Sequence, residues 1–291
     1  MIKIGVVGSD NSHAIAYSRL ANIDRVTGDR CRVVAIWGDD PARTKEVARE
    51  GGIETIVGQP EDLVGRVDLA LVVDRHGDLH TDHALPFLER GMPVYVDKPL
   101  AIRLDDCERM LSAARRSASL VTSFSALRWA PTTDVLADEA TRIGEIRAAH
   151  FSGPCDFESQ YGGPFFYATH VAEIALRMIG EDVETVVAHR SGKTVAVQVT
   201  WSSGALATFT YLGDAAYHFH GTLFGTEGMA AREIMGGDDA YAEALSRILR
   251  MVETGERPLS DDQLLRPIAM VHALQTSLEN GGTEVRLLGL H

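Results

Sequence analysis

A glycine turn near the N-terminus is the first segment whose residue types and spacing indicate chemistry. Residues 8–13 read G-S-D-N-S-H, after an apolar run and before a helical pattern. The dinucleotide-binding pattern G-x-G-x-x-G/A lies at such a turn, where the helix N-terminus holds pyrophosphate. Gly8 matches its first glycine, whereas Asp10 and His13 take the other two positions. Because the carboxylate of Asp10 opposes an anion, the alternative prediction is a simple helix cap. Three residues are candidates for that cap: Asp10, Asn11 and Ser12.

A second carboxylate follows the second apolar run. Residues 33–37 lead through Gly38 to Asp39. An acid at this place accepts a hydrogen bond from the adenosine ribose of NAD, whereas an arginine accommodates the 2′-phosphate of NADP. Asp39 therefore favours NAD over NADP, although Arg43 follows one turn later. The alternative is that Asp39 and Asp40 only begin a helix.

Two groups of histidines have spacings that suggest ligand binding. On one continuous helix, His76, His80 and His83 would share a face, as a zinc site in a metal hydrolase requires. The Gly-Asp pair after His76 predicts instead that the helix begins later, so we predict no metal there. His218 and His220 alternate on a predicted strand and would face either solvent or a substrate.

Charge and composition exclude several classes of partner. The 291 residues include 28 Lys and Arg against 41 Asp and Glu, a formal charge of −13. Such a chain repels phosphate backbones and anionic lipid. We therefore predict that it binds neither nucleic acid nor a membrane surface. The three cysteines lack metal-type spacing, and no apolar run reaches the roughly 18 residues of a membrane helix. We therefore expect a cytoplasmic protein with reduced thiols.

Short strands alternate with helices over the first 122 residues. Runs rich in Val and Ile predict strands at 2–7, 32–37, 68–73, 93–96 and 120–124. Helical patterns lie between them at 12–22, 41–50, 81–90 and 104–117. This alternation predicts a doubly wound parallel sheet with helices on both faces, the Rossmann arrangement.

The pattern changes after residue 122. Strand-like runs follow one another at 145–152, 185–189, 194–201, 205–211 and 218–224, with one long helix at 170–179. The turns between them predict antiparallel hairpins, and helices at 239–254 and 261–279 close the chain. We predict an α/β protein of two domains. These are a Rossmann domain, 1–122, and an α+β domain with a mostly antiparallel open sheet, 123–291.

Four motifs occur in order along the chain. Residues 97–101 read D-K-P-L-A, 128–131 read R-W-A-P, 143–146 read I-G-E-I and 224–228 read F-G-T-E-G. They resemble the E-K-P-L-A, R-[FY]-x-P, G-x-I and G-T-E-G segments of the Gfo/Idh/MocA oxidoreductases, named after glucose–fructose oxidoreductase and inositol dehydrogenase. The resemblance covers nearly the whole chain and is carried by the order of the motifs.

The resemblance implies a nicotinamide cofactor and a role for Lys98. It places Lys98 beside the nicotinamide ribose and the substrate hydroxyl, where a positive charge stabilises a developing alkoxide. It also implies a homo-oligomer, a dimer or tetramer, formed through the open sheet. The residues expected on the cofactor side are Gly8, Ser9, Asp10, Asn11, Ser12, Asp39, Asp74, His76, His80, Asp97, Lys98 and Pro99.

The expected acid–base position departs from the family pattern. The family commonly has D-x-x-x-H at the start of a long helix, with the histidine as proton acceptor. Here His170 fits, but the residue four places earlier is Phe166, and Tyr167 is the nearest polar substitute. The resemblance makes His170 and Tyr167 catalytic candidates with Lys98, and Arg128, Trp129 and His170 substrate contacts. This chain is similar to an atypical branch that pairs G-x-D-x-S-H with Y-x-x-H.

These observations predict an NAD(P)-dependent oxidoreductase that moves a hydride between nicotinamide and a sugar-like or cyclic polyol substrate. One alternative is a redox-neutral relative that uses NAD in lyase, glycosidase or epimerase chemistry, or a relative that only senses a ligand. The other is the histidine-based metal hydrolase.

Overall fold

The computed structural model describes residues 1–287, which fall into two compact units. The first comprises Met1–Phe124 and Gly237–Leu264, and the second comprises Ser125–Gly236 and the chain from Leu265 onward. The sequence predicted instead that everything after residue 122 forms one domain. That division into 1–122 and 123–291 stays a prediction.

The first unit is built on a six-stranded parallel sheet of order β3-β2-β1-β4-β5-β6. Its strands are β1 (Ile2–Val7), β2 (Cys31–Trp37), β3 (Thr55–Ile56), β4 (Leu69–Val72), β5 (Val94–Val96) and β6 (Val121–Ser123). Its helices are α1 (Ser12–Asn22), α2 (Pro41–Glu50), α3 (His80–Leu88), α4 (Leu104–Ser117) and α7 (Asp238–Thr254). Both β4 and β5 are buried along their whole length, as expected for strands covered on two faces. The predicted Rossmann sheet is confirmed.

Polar caps begin the first two helices of this unit. The Asn11 side chain accepts a hydrogen bond from the backbone N–H of His13, at the start of α1. The Asp40 side chain accepts from the N–H groups of Ala42 and Arg43, and Pro41 occupies the first turn of α2. Each cap satisfies an N–H group that has no partner inside its helix.

The second unit holds a seven-stranded sheet of order β12-β11-β7-β10-β9-β8-β13. Its strands are β7 (Ile146–Pro154), β8 (Val183–Ser191), β9 (Thr194–Trp201), β10 (Leu206–Leu212), β11 (Phe219–Gly225), β12 (Met229–Ile234) and β13 (Val285–Arg286). The helices α5 (Pro131–Ala140) and α6 (Ala168–Ile179) belong to this unit, and the long helix α8 spans Asp261–Glu279. The predicted mostly antiparallel sheet is confirmed, except that β7 and β10 pair in parallel.

Burial alternates along the central strands of this sheet. Val195, Val197 and Val199 of β9 are buried, while the residues between them are exposed. Alternation with period two gives the sheet one apolar face. Helix α6 has ten buried residues, of which all but Thr169, His170 and Glu173 are apolar. Within residues 1–287, no helix is long and apolar enough to cross a membrane.

Candidate active site

The glycine turn after β1 lies directly against the loop after β4. Gly8 has φ +95°, and a Cβ added to it would lie 2.7 Å from the backbone nitrogen of Asp74. A side chain at this position would therefore collide with backbone and require a left-handed conformation. Glycine at position 8 is needed for the close approach of the two loops.

Three polar side chains of this turn, those of Ser9, Asp10 and Asn11, form hydrogen bonds with other groups of the protein. The two carboxylate oxygens of Asp10 accept from the backbone N–H of Arg75 at 3.2 and 3.3 Å. Of the three candidate caps it is Asn11 that accepts from His13 N–H, at 3.3 Å. The hydroxyl of Ser9 lies 2.9 Å from that of Thr44. Asp10 thus serves the loop after β4, and Ser12 is an exposed first residue of α1.

Asp97, at the end of β5, is the centre of a buried polar network. Its Oδ2 lies 2.7 Å from Nδ1 of His13 and accepts from the Asn11 amide at 3.2 Å, and its Oδ1 accepts from the Tyr95 hydroxyl at 3.3 Å. Burial raises the pKa of Asp97, but the charge and hydrogen bond of His13 outweigh it, so the pKa lies well below the ordinary value. The histidine at the third glycine position therefore joins α1 to the loop after β5.

Lys98 and Pro99 follow Asp97 in the chain. Lys98 is 4% exposed, and its charge also lowers the pKa of Asp97. The fully buried ring of His80 bridges two loops, with Nδ1 2.7 Å from the carbonyl oxygen of Pro99 and Nε2 2.9 Å from that of Asp74. His80 therefore fixes the loop that carries Lys98.

The helix start predicted after His76 agrees with α3, which begins at His80 and also carries His83. His76 precedes the helix, and its Nδ1 accepts from Asp78 N–H at 3.3 Å. His83 Nδ1 lies 2.8 Å from Oδ2 of Asp74. Burial opposes the charged ring, but Asp74 outweighs burial and raises the pKa of His83. Among residues 1–287, the His, Cys, Asp and Glu side chains form no group able to hold a metal ion.

The residues after β2 show which groups are accessible for a ribose. Asp39 is exposed, whereas Asp40 caps α2. Arg43 is committed to protein contacts, since its Nη1 lies 2.6 Å from Glu46 and its Nε donates to the carbonyl oxygen of Ser9 at 3.2 Å. An acid at this place in a Rossmann domain is able to accept a hydrogen bond from the ribose of a dinucleotide.

His170 lies in the first turn of α6, in the second unit. Its Nδ1 is 2.6 Å from the hydroxyl of Ser125, which also accepts from Leu127 N–H at 3.1 Å. The backbone N–H of Ser125 lies 2.9 and 3.0 Å from the two carboxylate oxygens of Glu173, one turn after His170. The Ser125 hydroxyl therefore holds Nδ1 of the imidazole. In sites where a histidine transfers protons, a carboxylate commonly holds that nitrogen.

The sequence did not predict Ser125 as a site residue. Ser125 and His170 are 45 positions apart, and serine has no distinctive spacing. The available signal was its place three residues before Arg128, in the segment that resembles R-[FY]-x-P.

Tyr167 and Phe166 lie at the junction that precedes α6. Residues Gly163–Phe166 form a 3₁₀ turn, and Tyr167 is the residue before the helix. The ring centroids of Tyr167 and His170 are 5.3 Å apart. The rings of Tyr167 and His170 therefore contact each other. This proximity was predicted from their separation of three residues.

Arg128 and Trp129 make their described contacts within the second unit. Arg128 is 3% exposed, donates to the backbone carbonyl of Glu173 at 2.9 Å and lies 3.4 Å from the carboxylate of Glu181. The Trp129 ring lies 4.8 Å from the guanidinium of Arg177. These contacts support the loop that begins at Ser125, and the roles of both residues as substrate contacts stay predictions.

The two histidines around β11 have different surroundings. His218 is exposed and lies 2.6 Å from the carboxylate of Glu233. His220 pairs with Ser152 of β7, while Phe219 between them is buried and its ring centroid lies 5.4 Å from that of His170. It is therefore Phe219 that reaches the candidate catalytic residue.

A parallel sheet of this order, with a glycine turn after β1 and an exposed acid after β2, is the arrangement of a dinucleotide-binding domain of the Rossmann class. Residues 2–124 match the family model described as an oxidoreductase family with an NAD-binding Rossmann fold. This segment, which is less than half of the chain, matches the Gfo/Idh/MocA oxidoreductases.

Similar proteins include sugar and polyol enzymes. An inositol 2-dehydrogenase of Burkholderia vietnamiensis is 32% identical over 114 residues, which are 38% of this chain and 33% of that protein. The chain thus spans about a third of the inositol dehydrogenases it matches. A 1,5-anhydro-D-fructose reductase of Ensifer adhaerens is 27% identical over 251 residues, 76% of this chain and 74% of that protein. A probable dehydrogenase from Thermotoga maritima has the same fold, with TM-score 0.86, 21% identity and 98% of both chains covered.

Proposed function

We propose that this protein is an NAD(H)-dependent oxidoreductase that interconverts a hydroxyl and a carbonyl group on a sugar-like or cyclic polyol substrate. The observation that carries the proposal is the buried Asp97-Lys98-Pro99 turn at the carboxyl edge of the Rossmann sheet. A buried ammonium group at the edge where such folds bind their ligands is suited to a substrate oxygen that gains negative charge.

The residues of the first unit fit a dinucleotide. Asp39 is exposed to accept from the adenosine ribose, and Asp10 is turned toward Arg75 N–H, which reduces its opposition to pyrophosphate at α1. Gly8, Ser9, Asn11 and Ser12 would line the pyrophosphate, with Asp74, His76 and His80 on the adjoining loop and Pro99 behind Lys98. The bound nicotinamide supplies or accepts the hydride. The exposed Asp39 supports NAD as the preferred cofactor.

Lys98, His170 and Tyr167 divide the remaining work in this proposal. Lys98 donates a hydrogen bond to the substrate oxygen and stabilises it as an alkoxide forms. His170 accepts the hydroxyl proton in oxidation and returns it in reduction. Ser125 suits both charge states, because a hydroxyl donates to a neutral imidazole nitrogen and accepts from a protonated one. Tyr167 positions the ring, and Arg128 and Trp129 contact the substrate or support the loop that does.

The substrate class and assembly are proposed from the relatives. The names of two similar proteins specify cyclic polyhydroxy compounds, an inositol and an anhydrofructose. We also propose a homo-oligomer, a dimer or tetramer, formed through the open sheet of the second unit, and a cytoplasmic location. Light scattering at several concentrations tests the assembly, and a monomer at every concentration would rule it out.

Cofactor binding is the primary test of the proposal. Trp37 ends β2 two residues before Asp39, so binding of NADH should change tryptophan fluorescence and raise the melting temperature. We expect an effect at millimolar NADH and a smaller one with NADPH. No response to either nucleotide would refute the proposal.

A redox-neutral use of NAD is the second candidate. The phenylalanine at position 166, where a carboxylate commonly supports the proton acceptor, fits this candidate as well as it fits the first. Where the use of NAD is redox-neutral, NAD co-purifies with the protein and no NADH accumulates with substrate. Net formation of NADH, followed at its absorbance band, would eliminate this candidate.

A further inference from the structure

The side chain at the third glycine position reaches into the buried polar network of the first unit. His13 is the second residue of α1, and its side chain is 15% exposed. Its Nδ1 lies 2.7 Å from Oδ2 of Asp97, a residue 84 positions later in the chain. Because an ionised carboxylate only accepts, Nδ1 carries the hydrogen of this bond in either charge state of the ring.

Residues of α1 act on both oxygens of the Asp97 carboxylate. His13 bonds to Oδ2, which also accepts from the Asn11 amide at 3.2 Å. One turn after His13, the Tyr17 hydroxyl donates to that of Tyr95 at 3.2 Å, and the Tyr95 hydroxyl lies 3.3 Å from Oδ1. One helix therefore fixes the carboxylate from two sides.

A ring of α7 confines the two aromatic side chains of α1. The ring centroid of Tyr241 lies 5.0 Å from that of His13 and 5.5 Å from that of Tyr17, and both contacts are edge-to-face. This geometry is favourable for aromatic pairs and restricts the orientation of the imidazole. The orientation of His13 is therefore set by packing as well as by Asp97.

The fixed carboxylate is followed directly by the buried lysine. Asp97 is 2% and Lys98 4% exposed. Burial opposes the ionised form of Asp97, but His13 and then Lys98 lower its pKa, so the charges of Asp97 and Lys98 interact. A buried ammonium group is costly unless an opposite charge lies close to it. The position of the carboxylate therefore affects the position and charge of the lysine.

We propose that His13 is a positioning residue for Lys98, because it fixes the Asp97 carboxylate that stabilises the lysine. This inference rests on the proposed function, in which Lys98 stabilises the substrate oxygen. The third glycine of the dinucleotide-binding pattern serves close packing of helix and strand. The histidine in its place serves instead to join α1 to the turn that carries Lys98.

Two variants of His13 separate the hydrogen bond from packing. His13→Asn keeps an N–H donor at the same number of bonds from the backbone as Nδ1, whereas His13→Leu has a similar reach and no donor. His13→Leu should lower kcat by about 10- to 100-fold, the effect of one hydrogen bond to a charged group, with little change in the Michaelis constant. His13→Asn should recover most of kcat. Full activity of the leucine variant, or equal losses in both, would overturn the proposal.

The four lysines of the chain allow Lys98 to be observed without cofactor or turnover. Lys3, Lys45 and Lys193 are exposed, so the Cε resonance of Lys98 should be distinct in protein labelled with ¹³C-lysine, and Lys98→Met assigns it. His13→Leu should shift this resonance and leave the other three in place. An unshifted Lys98 resonance in that variant would overturn the proposal.

The imidazole of the unaltered protein provides a test that needs no stable leucine variant. Nitrogen-15 NMR at alkaline pH should show neutral His13 as the Nδ1–H tautomer, since Asp97 accepts from that nitrogen, and His13→Asn assigns the signal. The Nε2–H tautomer would overturn the proposal.

A double-variant cycle tests whether His13 acts through Asp97. If it does, His13→Leu should cause no further loss of kcat in the Asp97→Ala background, because the contact is already absent there. Additive losses would overturn the proposal.

The outcomes separate this inference from the proposed function. NADH binding and Lys98-dependent turnover that persist unchanged in His13→Leu would refute the positioning role alone. A Lys98 resonance that depends on His13, in a protein that responds to neither NADH nor NADPH, would refute the oxidoreductase function and leave the coupling of the two side chains.

Discussion

Replacement of Ser125 by alanine is the perturbation most closely specified by the candidate site. The Ser125 hydroxyl is fully buried, lies 2.6 Å from Nδ1 of His170 and accepts from Leu127 N–H at 3.1 Å. Ser125→Ala removes both contacts but keeps the backbone N–H that donates to Glu173. The imidazole would then lose the partner that holds its orientation.

The two lost contacts have separate consequences. A hydrogen bond to a group that becomes charged contributes about 1.5–3 kcal/mol, so kcat should fall by about 10- to 100-fold. The Michaelis constant should change little, because the serine contacts the proton acceptor and not the substrate. The buried N–H of Leu127 loses its acceptor, which should lower the free energy of unfolding by about 1–3 kcal/mol.

Steady-state kinetics and thermal unfolding measure these effects, with Ser125→Thr as the matched control. Threonine keeps the hydroxyl, so it should restore most of kcat and of stability. Full activity of Ser125→Ala would refute the role of the serine. Equal losses in the alanine and threonine variants would show that packing, and not the hydroxyl, matters at this position.

Three further predictions concern charge. Lys98→Met should lower kcat by at least about 10²-fold with the fold retained by circular dichroism, and full activity would remove the lysine from the mechanism. Phe166→Asp places a carboxylate near His170 and should move the acid limb of the pH–rate profile up by about 1 pH unit; an equal shift in the neutral control Phe166→Asn would contradict this explanation. The raised pKa of His83 beside Asp74 means that the pair stabilises the fold below the unfolded histidine pKa and loses this effect as pH rises through the folded pKa. His83→Gln should therefore cost about 1.5–3 kcal/mol near pH 6 and less near pH 9 in denaturant titrations, and a pH-independent cost would refute the assignment.

Much of the first unit could be predicted from local sequence. The strands are short apolar runs whose burial on both faces requires a nearly continuous set of Val, Ile and Leu, and this set is visible in the sequence. The helix starts are equally local, since Asn11 and Asp40 act on N–H groups two or three residues away. The choice of Asn11 among three polar residues required the structure, because all three have side chains that can cap.

The order of strands in the second unit could not be predicted in the same way. Alternating burial predicts strands but not which strands pair, and the parallel pairing of β7 with β10 joins segments about 60 residues apart. Chain connectivity suggested hairpins, whereas the structure pairs β7 with β10 and β11, which are not its neighbours in the chain.

The sequence by itself determined the fold class, the glycine at the β1 turn, and the positions of Lys98 and His170, because each depends on a local pattern or a short motif. Only the tertiary structure decided what surrounds those residues. It joined His13 to Asp97, turned Asp10 toward Arg75, placed Ser125 on His170 and gathered the aromatic rings beside it. These contacts form between segments distant in sequence, where the direction of each side chain is set by packing and by the need to satisfy buried polar groups.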